Sequence, residues 1–171
     1  MSVDVVGDFR QYVVQRQRSL LRLAWLLTGD WATAEDLVQT ALVAVWPRWR
    51  RLGGGDQAHA YVRRVLVTTS RDWRARRWTG EQPVDQLPET TTSAQDDPDD
   101  RLVLVAALQA LPPRQRAVIV LRFFDDASEQ ATADALRCSV GTVKSQTSKA
   151  LTALRRHPSM VDLARTENSH D

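Results

Sequence analysis

The stretch Ser128–Arg156, SEQATADALRCSVGTVKSQTSKALTALRR, decides the fold of this 171-residue chain. It holds two short helical patterns separated by the break Arg137–Ser139. Ser128 and Ser139 stand where the two helices are expected to begin, and serine is a favoured N-cap because its hydroxyl accepts a backbone N–H. The apolar side of the second pattern consists of Val143, Ala150, Leu151 and Leu154. A short helix, a tight turn and a second amphipathic helix predict a helix-turn-helix, whose second helix enters the DNA major groove.

The polar side of that second helix is cationic. From Arg137 to Arg156 the chain has five basic residues and no acidic one. A solvated helix face usually mixes both signs of charge, whereas a face of one sign suits a polyanion. Two amphipathic helices joined by a turn also occur in many all-α proteins that never contact DNA, so the pattern by itself leaves both interpretations open.

Charge is segregated along the whole chain. The net charge is +2, but residues 1–78 carry +6, residues 79–100 carry −7 and residues 101–171 carry +3. With 43% hydrophobic and 26% charged residues, the composition is that of a globular protein. Cys138 is the single cysteine, which excludes an internal disulfide. Without an apolar N-terminal run or a membrane-length apolar stretch, we expect a soluble, cytoplasmic protein.

Residues 1–78 predict a small domain of three to four helices. Apolar residues recur at helical spacing over about 5–27, 31–46 and 57–77. Gly29 suits a helix C-cap, Asp30 suits the next N-cap, and Pro47 ends the second helix. A glycine-rich loop at 52–56 precedes the third helix.

Residues 79–100 predict an acidic, flexible linker because they combine three prolines with seven acids and no periodicity. A second domain then covers residues 101–157. Its first helix is predicted over about 102–111, and a continuous helix over about 114–124 leads into the helix-turn-helix. The tail 158–171 is polar and expected to fray. The sequence thus predicts an all-α fold of two small helical domains joined by the linker.

Three motifs in this order resemble the extracytoplasmic-function (ECF) sigma factors of the sigma-70 family, most closely an actinobacterial SigE-like subgroup. The first is Leu26-Leu27-Thr28-Gly29-Asp30 followed by Ala34-Glu35-Asp36-Leu37-Val38-Gln39. The second is Ala60-Tyr61-Val62-Arg63-Arg64 through Trp73-Arg74-Ala75-Arg76-Arg77. The third is Leu111-Pro112-Pro113-Arg114-Gln115 with Cys138-Ser139-Val140-Gly141-Thr142-Val143-Lys144-Ser145. Together they cover nearly the whole chain to about residue 157.

The resemblance implies a promoter-specificity subunit that binds core RNA polymerase through its beta and beta-prime subunits and recognises promoter DNA. It assigns core-polymerase binding in the first domain to Glu35, Asp36, Leu37 and Gln39. It assigns minus-10 promoter contacts to Arg63, Arg64, Arg71, Trp73, Arg74, Arg76 and Arg77. It assigns minus-35 contacts in the second domain to Ser139, Thr142, Lys144, Ser145, Gln146 and Lys149. It also admits an anti-sigma factor as a further partner.

Several of these residues have a plainer interpretation. Acids such as Glu35 and Asp36 also stabilise the beginning of a helix through its dipole. Trp73 and Trp78 stand among arginines, which suits stacking on exposed bases, but tryptophans also pack in cores. The other four, Trp25, Trp31, Trp46 and Trp49, are expected to pack.

Some positions depart from the family pattern. The family commonly has glycine where this chain has Arg137, which must then accept the turn geometry. Ala131 and Thr132 replace a capping-box glutamate and a bulky aliphatic residue, which is expected to weaken the motif. Gln146 replaces an arginine and Thr68 an asparagine, so a different promoter preference is expected, since glutamine pairs with adenine and arginine with guanine.

Two other classes of function compete with this interpretation. A stand-alone helix-turn-helix regulator needs a dimerisation or ligand-binding domain, which the basic residues 1–78 do not resemble. An enzyme acting on nucleic acid needs clustered metal ligands, a phosphate loop or a catalytic triad. The histidines His59, His157 and His170 are far apart in the sequence and no such motif is present. We therefore expect no catalytic residues, no metal and no cofactor.

Overall fold

The computed structural model describes residues 4–77 and 98–160, and every regular element within them is helical. The helices are α1 (Val5–Thr28), α2 (Trp31–Val45), α3 (Trp49–Leu52), α4 (Gly55–Arg77), α5 (Pro98–Ala110), α6 (Pro113–Ile119), α7 (Glu129–Leu136) and α8 (Val140–Arg156). A 3₁₀ turn at Trp46–Arg48 joins α2 to α3, and a π-helical turn at Val120–Phe124 follows α6. The predicted all-α fold is confirmed. Trp78 and most of the acidic segment lie outside the described residues.

The boundary between α1 and α2 forms as the residues at 29 and 30 predict. Gly29 adopts the left-handed conformation (φ 77°), and its N–H donates to the carbonyl of Trp25 at 2.7 Å. The Asp30 carboxylate accepts the backbone N–H of Thr33 at 2.8 Å, which caps α2. These two caps turn the chain sharply, so α2 packs back along α1.

The first domain is built from α1, α2 and α4, which pack against one another around a core of leucine and valine. Its fully buried side chains include Leu20, Leu23, Leu37, Val62 and Leu66. The predicted glycine-rich loop is shorter than expected, because residues 49–52 form the short helix α3. Trp49 of α3 is buried against Phe9 and Tyr12, which anchors this corner of the domain.

The second domain contains α5 to α8. Its first helix begins at Pro98, inside the segment assigned to the linker, so three of those residues are helical. The helix predicted as continuous over 114–124 is instead α-helical only to Ile119. Beyond it the N–H of Asp125 bonds the carbonyl of Val120, five residues back, and the wider turn redirects the chain toward α7. Residues 158–160 are helical, and Met160 packs against the core.

The two domains pack directly on each other, which the sequence did not predict. α4 packs on α7, while α1 packs on α5 and on the π-helical turn. The buried apolar residues of both domains form one connected cluster. Gln109 of α5 lies so close to Gly29 that a side-chain carbon added there would be 2.8 Å from it. Glycine is therefore required at this position by close approach as well as by its positive φ.

Arg116 of α6 is a buried cation at this junction, with 2% of its surface exposed. Its guanidinium donates to the carbonyls of Leu108, Gln109 and Leu111 at the end of α5, at 2.8, 3.0 and 2.9 Å. It also donates to the carbonyl of Leu27 at the end of α1, at 3.2 Å. Carbonyls at helix C-termini lack intrahelical partners and carry partial negative charge, so a cation placed there satisfies both needs.

Candidate nucleic-acid interface

The outer face of α8 is exposed and polar. Ser139 caps the helix by accepting the N–H of Thr142 at 3.1 Å, and Val143, Ala150 and Leu154 are buried. On the opposite side, residues three and four apart form one solvent-facing stripe of Lys144, Ser145, Ser148, Lys149 and Thr152. This stripe presents two ammonium groups and three hydroxyls to solvent. We call it the α8 face.

The candidate minus-35 residues divide into two groups in the structure. Lys144, Ser145 and Lys149 lie on the α8 face. Ser139 and Thr142 bond each other through their hydroxyls at 3.0 Å at the beginning of the helix, and Gln146 is half-buried beside the face. Sequence reasoning left Ser148 and Thr152 out of this set, although their helical spacing from Lys144 places them in the same stripe.

The turn that holds α8 contains the predicted departures. Arg137 adopts the left-handed conformation (φ 53°, ψ 52°), so it occupies a glycine-like position with a full side chain. The Ser128 hydroxyl caps α7 by accepting the N–H of Ala131 at 3.0 Å, and Ala131 offers no side chain to reciprocate. Thr132 is fully buried, and its hydroxyl has no hydrogen-bond partner among the described residues. The helix-turn-helix forms in spite of these features.

The basic residues of α4 differ in exposure along the helix. Arg71, Arg74 and Arg76, near its C-terminal end, are exposed. Arg63 and Arg64, nearer its beginning, are partly buried because the second domain covers them. Arg77 is the last residue of α4. The minus-10 candidates are thus on one helix, but only its C-terminal half is open to solvent.

A cleft of about 270 Å³ lies at the C-terminal half of α4, between the two domains. Trp73 is half-buried and lines this cleft together with Arg74, Ser70 and Gln109. Arg74 donates to the side-chain oxygen and to the backbone carbonyl of Gln109, both at 3.4 Å. The indole therefore partly packs and partly faces a solvent-filled space.

Four polar side chains meet where α4 is covered. The Asp125 carboxylate, 6% exposed, accepts Nε of Arg63 and lies 3.3 Å from Nε2 of His59. The other ring nitrogen of His59 lies 2.9 Å from the Tyr12 hydroxyl. Burial raises the pKa of Tyr12 to about 12. Burial opposes the charge of Asp125, but the hydrogen bonds from His59 and Arg63 outweigh it and hold the pKa of Asp125 below its ordinary value.

The second helix presents a different surface. Glu35, Asp36 and Gln39 are exposed along α2. Leu37, which was assigned to polymerase binding with them, has no exposed surface and packs in the core, because its position on the helix points it toward α1 and α4. The exposed stripe continues instead through Thr40 to Val43, which is 71% exposed. We call Glu35, Asp36, Gln39, Thr40 and Val43 the α2 face.

Metal-ion and membrane sites were also sought in the described residues. Across 4–77 and 98–160, no group of three histidine, cysteine, aspartate or glutamate side chains is arranged to hold a metal ion. Of the helices in these two ranges, none is both long enough and apolar enough to cross a bilayer. The surfaces that stand out are therefore the α8 face, α4 and the α2 face.

Two family models match the chain. The one described as Sigma-70 region 2 matches residues 13–79, and the one described as Sigma-70, region 4 matches residues 101–154. The RNA polymerase sigma-E factor of Streptomyces coelicolor is 42% identical over 151 residues, which is 88% of this chain and 85% of the relative. The ECF RNA polymerase sigma factor SigL of Mycobacterium tuberculosis is 34% identical over 142 residues, 80% of each chain.

Solved structures show the same likeness. The sigma factor RpoE of Bartonella quintana, determined in complex with the anti-sigma factor NepR, matches with a TM-score of 0.69 and 25% identity. The match covers 86% of this chain and 94% of that one. Both sequence and fold therefore relate nearly the whole chain to one group of proteins.

Proposed function

Because the chain belongs to the sigma-70 family of RNA polymerase sigma factors, in its ECF group, we propose that three surfaces divide the work of promoter recognition. The α2 face binds core RNA polymerase, α4 handles the minus-10 element and the α8 face reads the minus-35 element. The observation that carries this proposal is the pair of basic helices α4 and α8, one in each matched region. The protein then acts as a specificity subunit with no catalytic residues of its own, in the cytoplasm where the polymerase works.

The α2 face suits a protein partner because it mixes charge with exposed apolar surface. Glu35 and Asp36 supply negative charge, while Val43 and the 44% exposed Trp46 supply apolar area near the end of the helix. Asp30 already caps α2, and no acid lies in its first turn, so Glu35 and Asp36 are not needed as caps. Leu37 supports this surface from below by fixing α2 in the core.

The α8 face suits duplex DNA because its cations and its hydroxyls have different tasks. Lys144 and Lys149 are exposed and reach phosphates, which position a protein on DNA. Ser145 and Ser148 between them, with Gln146 at the edge, offer donors and acceptors to base edges. Ser139 and Thr142 contribute chiefly by forming the beginning of the helix, where free N–H groups favour a phosphate.

The C-terminal half of α4 suits a strand that is being unpaired. Arg71, Arg74 and Arg76 are exposed there, and Trp73 lies among them. Arginine binds phosphate in several geometries, and an indole ring stacks on an unpaired base. We assign Arg63, Arg64 and Arg77 to the same minus-10 surface. The printed description of RpoE, solved with an anti-sigma factor, also leads us to propose such a partner for this chain.

Transcription with purified core polymerase tests the proposal. The chain with core polymerase is expected to start transcription at a defined promoter that core polymerase alone does not use. Asp36→Ala is expected to weaken core binding by about tenfold, or about 1.4 kcal/mol. Asp8→Ala, which removes an exposed acid from α1, is the matched control and should bind core as the wild type does.

Two results would contradict the proposal. Initiation no better than that of core alone would refute the sigma-factor role. Tight binding of a palindromic duplex without polymerase would favour the stand-alone regulator. Equal losses for Asp36→Ala and Asp8→Ala would show that the α2 face is not the polymerase contact.

A further inference from the structure

The N-terminal half of α4 is covered by the second domain, and the contact uses the basic residues that we assign to DNA. Arg63 is 16% exposed and Asp125 6%, and Nε of Arg63 donates to the Asp125 carboxylate. Nη2 of Arg64 reaches the carbonyl of Asp134, near the end of α7, at 3.4 Å. Both guanidinium groups thus bind negative groups of the second domain, one a full charge and one the partial charge of a helix C-terminus.

These negative groups use the arginine donors that a phosphate would use. A guanidinium binds a carboxylate and a phosphate through the same planar set of N–H groups. While Arg63 is bonded to Asp125, its Nε is not available to DNA. His59 adds a second bond to the same carboxylate, at 3.3 Å, which strengthens the hold on Asp125.

The contact shows signs of an interface that separates. Much of it is polar: Gln109 donates to the carbonyl of Leu26 at 3.1 Å, and Arg74 bonds Gln109. Nε of Arg64 is buried without a hydrogen-bond partner in the described chain, which costs free energy while the domains stay together. Polar contacts of this kind are typical of domains that move relative to each other.

Promoter geometry requires such a separation. Elements named minus-10 and minus-35 lie about 25 base pairs apart, which is about 85 Å along B-form DNA. A compact chain of this length has a radius of gyration of about 16 Å, so α4 and the α8 face cannot occupy both elements while the domains are packed together. The 20 residues between 77 and 98 reach at most about 70 Å when extended, which is enough to let the domains part.

We propose that the second domain inhibits the first in the free chain, by docking Asp125 and α7 on the N-terminal half of α4, and that core polymerase relieves this inhibition by drawing the domains apart. The proposal rests on the assignment of α4 to promoter DNA made above. The α8 face takes no part in the closed contact, so inhibition falls on the minus-10 helix. Asp125 is the central residue because its carboxylate bonds Arg63 and His59 together.

The test compares Asp125→Asn with Asp126→Asn in the full chain. Asp126 is the adjacent acid, is exposed, and has φ 50°, which asparagine accepts well, so the control makes the same chemical change outside the contact. The probe is a fluorescein-labelled, mixed-sequence single-stranded 20-mer at low salt, followed by anisotropy without polymerase. Asp125→Asn is expected to bind it about fivefold more tightly than wild type, and Asp126→Asn within about twofold of wild type.

Small-angle scattering measures docking independently of DNA. The wild type is expected to have the radius of a compact chain, and Asp125→Arg, which faces Arg63 and His59 with a like charge, is expected to have a radius several ångströms larger. Circular dichroism checks that helix content is kept. A radius for Asp125→Arg equal to that of the wild type would overturn the proposal, as would equal binding by Asp125→Asn and Asp126→Asn.

One further variant separates this inference from the proposed function. Arg71→Ala, added to Asp125→Asn, should remove much of the gained binding because it lies on the exposed half of α4. If binding is unchanged by Arg71→Ala, the DNA role of α4 fails, and the inhibition proposed here fails with it. A failure of docking alone would appear as an unchanged scattering radius while Arg71→Ala still weakens binding.

Discussion

The helices α4 and α8 are both basic, but the fold treats them in opposite ways. α4 packs between α2 and α7, and Arg63 and Arg64 are bonded to groups of the second domain. α8 packs on α6 and α7 by one side and leaves Lys144, Lys149 and the hydroxyls between them in solvent. The charge pattern of a helix thus indicates what it binds, whereas the packing of its neighbours decides whether that surface is available.

The largest effect is expected at Arg116, which joins the closed side of the molecule. Arg116→Met keeps the volume but leaves the carbonyls of Leu27, Leu108 and Leu111 without their buried donor. We expect a loss of about 3 kcal/mol in the free energy of unfolding, measured by chemical denaturation. Arg114→Met, an exposed arginine in the same helix, is the control and should change stability by less than about 0.5 kcal/mol.

The outcome also bears on how the domains are held. If Arg116→Met were no less stable than Arg114→Met, the buried bonds to the ends of α1 and α5 would not contribute to stability. The closed contact would then depend on apolar packing and on Asp125 alone. The α8 face would be unaffected in either case, since Arg116 bonds the carbonyls at the ends of α1 and α5 and lies away from that face.

The next effect compares one cation from each helix directly. In the free chain at low salt, Lys149→Ala is expected to weaken binding to a mixed-sequence duplex by about fivefold to tenfold, with a salt slope smaller by about one. Arg64→Ala removes a charge of the same sign from the covered helix, and we expect less than about a twofold change. With core polymerase present and an open promoter as the target, Arg64→Ala should become the more harmful of the two.

Fluorescence anisotropy over a series of salt concentrations measures both variants. Equal losses for Lys149→Ala and Arg64→Ala without polymerase would contradict the difference in availability between the two helices. A loss confined to one sequence for Lys149→Ala would show a base contact rather than a phosphate contact. That result would rotate the α8 face relative to the groove.

Most of the individual helices could be predicted from the sequence, because their caps are local. Ser128, Ser139, Gly29 and Asp30 all act as their residue types predict, and Arg137 takes the turn geometry expected of it. The π-helical turn after Ile119 was missed, because its i to i−5 bond has no signature in apolar spacing. Leu37 was assigned to a surface by its place in a motif, although helical spacing puts it in the core.

The docking of the domains could not be predicted, because it depends on residues far apart in the chain. Asp125 is one of two adjacent acids, and the sequence does not show that it bonds Arg63 and His59, which lie 62 and 66 positions earlier. The minus-35 candidates were placed correctly on one helix for a local reason. The availability of the minus-10 candidates is a property of the tertiary structure, which composition and periodicity do not carry.

The smallest expected effect concerns α7, the helix that covers α4. Thr132 is fully buried in α7, and its hydroxyl has no partner among the described residues, so the fold pays for a desolvated polar group there. Thr132→Val has nearly the same shape, and we expect it to raise the free energy of unfolding by about 1 kcal/mol. Thr152→Val, on the exposed α8 face, is the matched control; its hydroxyl bonds the carbonyl of Ser148 at 3.0 Å, so this change should not stabilise the chain. Thermal unfolding distinguishes the two variants, and a lower melting temperature for Thr132→Val would show that a water molecule satisfies the hydroxyl. Because the change strengthens α7 without touching Asp125 or Asp134, the affinity of the free chain for single-stranded DNA should stay as it is, so that the stability of the covering helix and its hold on α4 can be separated.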